Sequence, residues 1–334
     1  MTILESCNCQ CRRSYSLFVF ATLLLAILVL LPSTQAQGNG QNQAVALRVR
    51  LESSPKLPFR GVFLLAHSPS AGWQSGSVSA VTIGAKGDVY EIQRGDSADP
   101  ILHLNSNGRL LDSWGKGDFT IPHSIRLDPA GNVWTVDAGS STVIEWSPKG
   151  RKLKSIAVGE QPTNGSSFNG ATDVAFGPNG LVYITDGYGN ARVLIYDASG
   201  KQIKQWGVHG TLPGQFDLPH AIQVGTDGTI YVADRENDRI EKFNLDGTYI
   251  GQIAHLGRVY AIKLVAGTLW ASVGPPDQPP GSPGGWIVKL EAKTGQVLGH
   301  LDVAEGAAGH SIDVTSSGEP VITVGNRLLW FHAE

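Results

Sequence analysis

The sequence sets a histidine at the head of three similar segments: PHSIRLDPAG from Pro122, PHAIQVGTDG from Pro219 and AGHSIDVTSSG from Ala308. Imidazole nitrogens bind borderline metals, and three of them leave a coordination position open for water or substrate. His123, His220 and His310 are therefore a candidate metal triad, provided the fold brings them to one point. A lone Pro-His pair before a strand means little, because such pairs are common in repeats. Three at matching positions are much harder to obtain by chance. The other six histidines, His67, His103, His209, His255, His300 and His332, share no such register. Zinc suits three imidazoles with an open fourth site best, and iron, copper and nickel also accept such ligands.

The elements that would gather these residues are visible as an internal repeat. Clear copies begin at Pro122, Ala171 and Pro219, and weaker ones at Val78, Val259 and Ala308. Each contains an apolar strand, a turn with Asp, Asn or Gly, a second strand ending near Asp, and a third strand before another Gly turn. Alternating segments such as Leu181-Val182-Tyr183-Ile184 predict short antiparallel strands. Units of about 40–50 residues with several strands each are propeller blades. The fold class is therefore all-β, a six-bladed β-propeller. The first strands begin at Ser79, His123, Thr172, His220, Tyr260 and His310. In a closed ring of six, alternate blades stand about 120° apart, with their first strands on the central channel. The three histidines fall on blades two, four and six. The sixth blade ends with the chain, so the alternating stretch AVALRVRL, 44–51, is expected to supply its outer strand and close the ring.

The ends and the composition bound the rest. Arg12 and Arg13 precede an apolar run from Leu17 to Leu31 and then Pro32-Ser33-Thr34-Gln35-Ala36. That order predicts a signal peptide over 1–36, a flexible linker over 37–43 and one catalytic or binding domain over 44–334. A secreted or periplasmic protein follows, with an uncleaved anchor as the alternative. No stable membrane insertion is expected after cleavage, since the run is shorter than a span of roughly 20 residues. Cys7, Cys9 and Cys11 are the only cysteines and would leave with the signal. The formal charge of −3, with 16% charged residues, offers no electrostatic footprint for nucleic acid. A monomer is expected.

The segments QRGD from Gln93, DGYGNARV from Asp186, WGVHGTLPGQFDLPHAI from Trp206 and VADRENDRI from Val232 together resemble the peptidyl-α-hydroxyglycine α-amidating lyases, within the wider class of NHL-repeat propellers. The resemblance covers roughly residues 73–332. It implies a catalytic zinc held by three histidines, which match His123, His220 and His310. It implies a catalytic tyrosine at Tyr188, a catalytic arginine at Arg94 and a substrate-binding role for Arg235. It also implies a structural calcium on the backbone carbonyls of Val81 and Ile125 and one aspartate. The sequence departs from the family where that aspartate would stand: Ser311 follows the third histidine, and Asp313 lies two residues on. Ala308 replaces a methionine of the pocket wall. Two disulfides are missing, with Asn169 and Gly189 at one pair of positions and Tyr231 and Lys242 at the other.

The reaction implied is cleavage of the N–Cα bond of a peptidyl- or N-acyl-α-hydroxyglycine, giving an amide and glyoxylate. A peptide or small-molecule substrate is the expected partner. Two other functions fit parts of the sequence. A non-catalytic propeller would use Trp73, Trp114, Trp134, Trp206 and Trp286 to bind a protein or glycan. A lactonase-like hydrolase would hold calcium on inward carboxylates and amides, which the inward histidines argue against. Tyr188 between two glycines can also serve only as a turn residue, Arg94 can pair with Asp96, and Arg235 can pair with Glu236 or Asp234.

Overall fold

A computed structural model of the chain describes residues 44–159, 161, 166–280, 282–303 and 308–334. The expected signal peptide and the linker over 37–43 lie outside the described residues. The strands form six four-stranded antiparallel sheets. Their first strands are Val78–Ile83, Pro122–Leu127, Asp173–Phe176, Pro219–Val224, Arg258–Val265 and Ile312–Val314. The local cause is the expected one. Val- and Ile-rich segments, buried on both faces between blades, are separated by tight turns. Glycine is needed where those turns enter the left-handed region, as at Gly131 and Gly228 with φ of 85° and 82°.

Packing between neighbouring sheets supplies the core. Trp134, Val136 and Ile156 of blade two pack with Val174, Ile184 and Leu194 of blade three. The aspartates that end the second strands tie down the loops between blades. Asp137 accepts from the backbone N–H of Thr120 and Ile121, and Asp234 from that of Asp217.

Ring closure uses the N-terminal end of the propeller, but a different segment from the one expected. Phe59–Leu64 pairs antiparallel with Arg327–Ala333 and completes blade six. Residues 44–52 are helical instead. The sequence there satisfies two periods at once. Val45, Leu47, Val49 and Leu51 alternate as on a strand, while Ala44, Leu47 and Leu51 share one face of a helix. The helical face wins. Ala44, Leu47 and Leu51 are buried, whereas Val45 and Val49 are exposed. Leu47 and Leu51 join the core of blades four and five, beside Ile253, Leu256 and Val259. Arg50 fastens the helix by donating to the carbonyls of Ala254 and Gly295, at 2.7 and 2.9 Å.

This assignment predicts unequal effects from neighbouring residues. Leu47→Ala is expected to cost about 2–5 kcal/mol of stability. Val45→Ser is expected to stay within about 0.5 kcal/mol of the parent. Equal losses in urea melts would favour the strand arrangement, in which both side chains share a face.

Candidate metal centre

His123, His220 and Tyr260, together with Ser79, sit at β-bulges at the head of their blades' first strands, where the pairing register skips a residue. A bulge leaves its residue out of the ladder and re-aims the side chain. Thr172 and His310 hold the matching place just before the first strands of blades three and six. The repeat position read from the sequence is thus a ring of positions around one axis.

The three imidazoles meet there. Ring centroids are 5.0 Å apart for His123 and His220, 4.6 Å for His123 and His310, and 4.8 Å for His220 and His310. One ligand atom from each lies within 4.8 Å of the others. The odd blades orient the even ones. His123 Nδ1–H donates to the Thr172 carbonyl at 2.6 Å, His220 to that of Tyr260 at 2.6 Å and His310 to that of Ser79 at 2.8 Å. A carbonyl only accepts, so each Nδ1 carries the proton and each Nε2 keeps its lone pair for the centre. Burial holds His123 and His220 well below the usual histidine range, helped by the charges of neighbouring imidazoles and arginines. Burial, with Arg94 next in weight, pushes His310 down to about 3. Three neutral imidazoles with converging lone pairs are the donor set that a borderline dication requires.

Tyr188 reaches the same point from the loop after the second strand of blade three. Its hydroxyl lies 2.9 Å from His123 Nε2 and 3.3 Å from His220 Nε2. Gly187 makes this approach possible, because a Cβ there would sit 2.3 Å from the Pro219 carbonyl oxygen. The phenol is held above its ordinary range by burial, while Arg235 and Arg94 pull in the other direction. The arginines alone do not outweigh burial, so a depressed tyrosine would need a further positive charge.

The charges of Arg94 and Arg235 both act on the phenol. Arg94 Nε donates to the Pro122 carbonyl at 2.8 Å, and its guanidinium lies 5.3 Å from the centre of the Phe168 ring. Among the described residues it has no carboxylate partner, so the Asp96 pairing does not form. Arg235 does pair with Glu236, at 2.8 Å, and its guanidinium stands over the Tyr260 ring at 5.4 Å. The pairing does not remove it from the site, because the charge of Arg235 still pulls the Tyr188 phenol downward against burial.

Sequence reasoning missed Phe168 and Arg126 here, and it named Glu236 only as a partner of Arg235. Phe168 packs on Tyr188 at 5.1 Å between centroids, and no repeat or motif marks it. Glu236 holds Arg235 with one oxygen and Arg258 with the other; its place beside Arg235 in ADREN was the available signal. Arg126 enters the channel from the residue after Ile125, and lines the cavity below the histidines. Val81 and Ile125 are fully buried. Tyr231 and Lys242 face each other across adjacent strands, which is where a disulfide would fit the register. The tryptophans offered for a binding face are used in packing instead. Trp114 and Trp134 are buried, and Trp73, Trp206 and Trp286 pack against core clusters.

Comparison with known proteins agrees with this fold. A family model described as a 6-bladed beta-propeller matches residues 174–264. Mouse peptidyl-glycine alpha-amidating monooxygenase is 32% identical over 263 residues, 67% of this chain and 26% of that protein. A Drosophila melanogaster protein named peptidyl-alpha-hydroxyglycine alpha-amidating lyase 1 is 34% identical over 161 residues, 44% of this chain and 30% of its own. The matched region thus spans between a quarter and a third of those relatives' length. A solved streptogramin B lyase superposes with a TM-score of 0.58 at 16% identity, over 83% of this chain and 98% of that one, which bears on the fold alone. Sequence and fold together make this chain a six-bladed β-propeller homologous to the peptidyl-α-hydroxyglycine α-amidating lyases.

Proposed function

We propose that the protein is a zinc-dependent lyase that cleaves the N–Cα bond of a peptidyl- or N-acyl-α-hydroxyglycine to an amide and glyoxylate. The observation that carries this reading is the Tyr188 hydroxyl placed against two of three converging histidine nitrogens. The relatives named as amidating lyases support it. His123, His220 and His310 would hold the metal. When bound, zinc supplies Lewis-acid polarisation of a substrate oxygen and so favours loss of its proton.

The chain's own residues account for the rest. Tyr188 takes the proton of the substrate hydroxyl. The C–O bond becomes the carbonyl of glyoxylate as the C–N bond breaks. Tyr188 then returns that proton to the departing amide nitrogen, so atoms and charge balance. Arg94 and Arg235, whose charges both act on the phenol, pair with the substrate carboxylate through forked hydrogen bonds. Phe168 and Tyr260, each beneath one guanidinium, restrict where those forks point.

Secretion or periplasmic export accompanies this reading through the N-terminal segment. Among the described residues no helix is long and apolar enough to cross a membrane.

The test is glyoxylate release from a simple N-acyl-α-hydroxyglycine. Turnover is expected to disappear after removal of the metal by a chelator and to return with added zinc. A zinc-loaded protein that retains its metal and releases no glyoxylate would favour a non-catalytic binding propeller. Lactone hydrolysis that follows calcium, with no glyoxylate release, would favour a lactonase-like hydrolase.

A further inference from the structure

Below the histidines the channel is crossed by charged side chains that the lyase chemistry does not use. We propose that Arg126 takes the place of a channel calcium, so that the propeller carries its structural cation as part of the chain and binds no calcium ion.

The argument begins with the oxygen ligands. Calcium takes six to eight oxygens, and strong sites include unshared carboxylates. Among the described residues, two carboxylates face this part of the channel, and both are already held by donors. Asp173 Oδ1 accepts from Ser124 Oγ at 2.6 Å, and its Oδ2 from Arg126 Nη2 at 2.7 Å and the Ile222 N–H at 3.2 Å. Asp313 Oδ2 accepts from Thr82 Oγ1 at 2.8 Å and the Ile83 N–H at 2.9 Å. Its Oδ1 takes Lys263 Nζ at 2.7 Å and the Val314 N–H at 2.6 Å. The position after His310 offers only a hydroxyl: Ser311 Oγ accepts from the Val81 N–H at 3.3 Å.

The charges are balanced as well. Arg126 and Lys263 match Asp173 and Asp313 one for one, and Arg126 is only 7% exposed. A cavity of about 10 Å³ lies between the histidines and this layer, lined among others by Ser124, Arg126, Asp173 and Ser311. A dication entering it would meet a buried guanidinium, and two like charges a few ångströms apart repel strongly at low dielectric. The residue beside Ile125 thus supplies the positive charge that its backbone carbonyl would otherwise help to bind.

The experiment is equilibrium dialysis of the zinc-loaded propeller against radiolabelled calcium, with thermal melts in calcium-free and millimolar calcium buffers. The wild-type chain is expected to bind no stoichiometric calcium, and its Tm to be the same in both buffers. One calcium per chain, or a calcium-dependent rise of roughly 5 °C as a well-filled site would give, overturns the proposal. Two variants identify the cause. Ser311→Asp restores a carboxylate but keeps Arg126, and is expected to bind no calcium. Ser311→Asp combined with Arg126→Met is expected to gain one ion per chain. Calcium binding by the single variant also overturns the proposal, because the missing carboxylate would then be the obstacle. None of these measurements requires turnover, so they stand or fall apart from the lyase reading.

Discussion

Tyr188→Phe should lower glyoxylate release by about 10²–10⁴-fold, the usual worth of a positioned proton transfer. The substitution removes one oxygen. That oxygen contacts His123 and His220 but is not needed to orient them, because each ring is fixed from its other nitrogen by a backbone carbonyl. Metal content and folding should therefore persist. The aromatic ring also remains against Phe168, so KM should change far less than kcat. A zinc-loaded Tyr188→Phe protein with full kcat would place the base elsewhere.

The largest stability effect should come from Asp173→Asn. Arg126 and Asp173 form a buried ion pair, with side chains only 8% and 2% exposed. Burial opposes the charge of Arg126, and Asp173 overcomes it, so the guanidinium stays charged with its pKa above the ordinary value. Among the described residues Nε and Nη1 of Arg126 have no protein partner, which makes the Asp173 contact its principal compensation. Removing one member of such a pair costs about 3–5 kcal/mol, because the other charge stays buried. For a domain of this size the expected fall in Tm is on the order of 10 °C. Replacing both residues with apolar ones, Arg126→Met with Asp173→Leu, should recover much of the loss. A Tm for Asp173→Asn within about 1 °C of the parent would show that the pair contributes little.

The architecture was readable because a propeller writes itself into sequence as a period. Ser79, His123, Thr172, His220, Tyr260 and His310 were picked out by repeat position alone, and the structure puts all six around one axis. The division of labour among them was not readable. Backbone carbonyls of residues 79, 172 and 260 set the imidazole tautomers, and a carbonyl contact leaves no mark on side-chain identity. The bulges that aim His123 and His220 are likewise a property of strand register. Residues 44–51 misled because eight residues of Ala, Val, Leu and Arg fit a period of two as well as one of 3.6. What decided the matter was a groove beside blades four and five that takes Leu47 and Leu51, and local sequence does not record such a groove. Arg126 was overlooked because its role depends on Asp173, which lies on another blade.

The clasp between Phe59–Leu64 and Arg327–Ala333 has a consequence for synthesis. Its first strand leaves the ribosome roughly 260 residues before its partner. Until that partner emerges, the segment FRGVFL is an unpaired edge with two phenylalanines, open to pairing with another nascent chain. Arg60 and Gly61 interrupt the apolar run at its second and third residues, a charge and a weak strand former where sticky segments usually need them. Cotranslational loss of this molecule would then arise from a strand kept waiting, and would track elongation time more than the stability of the finished ring.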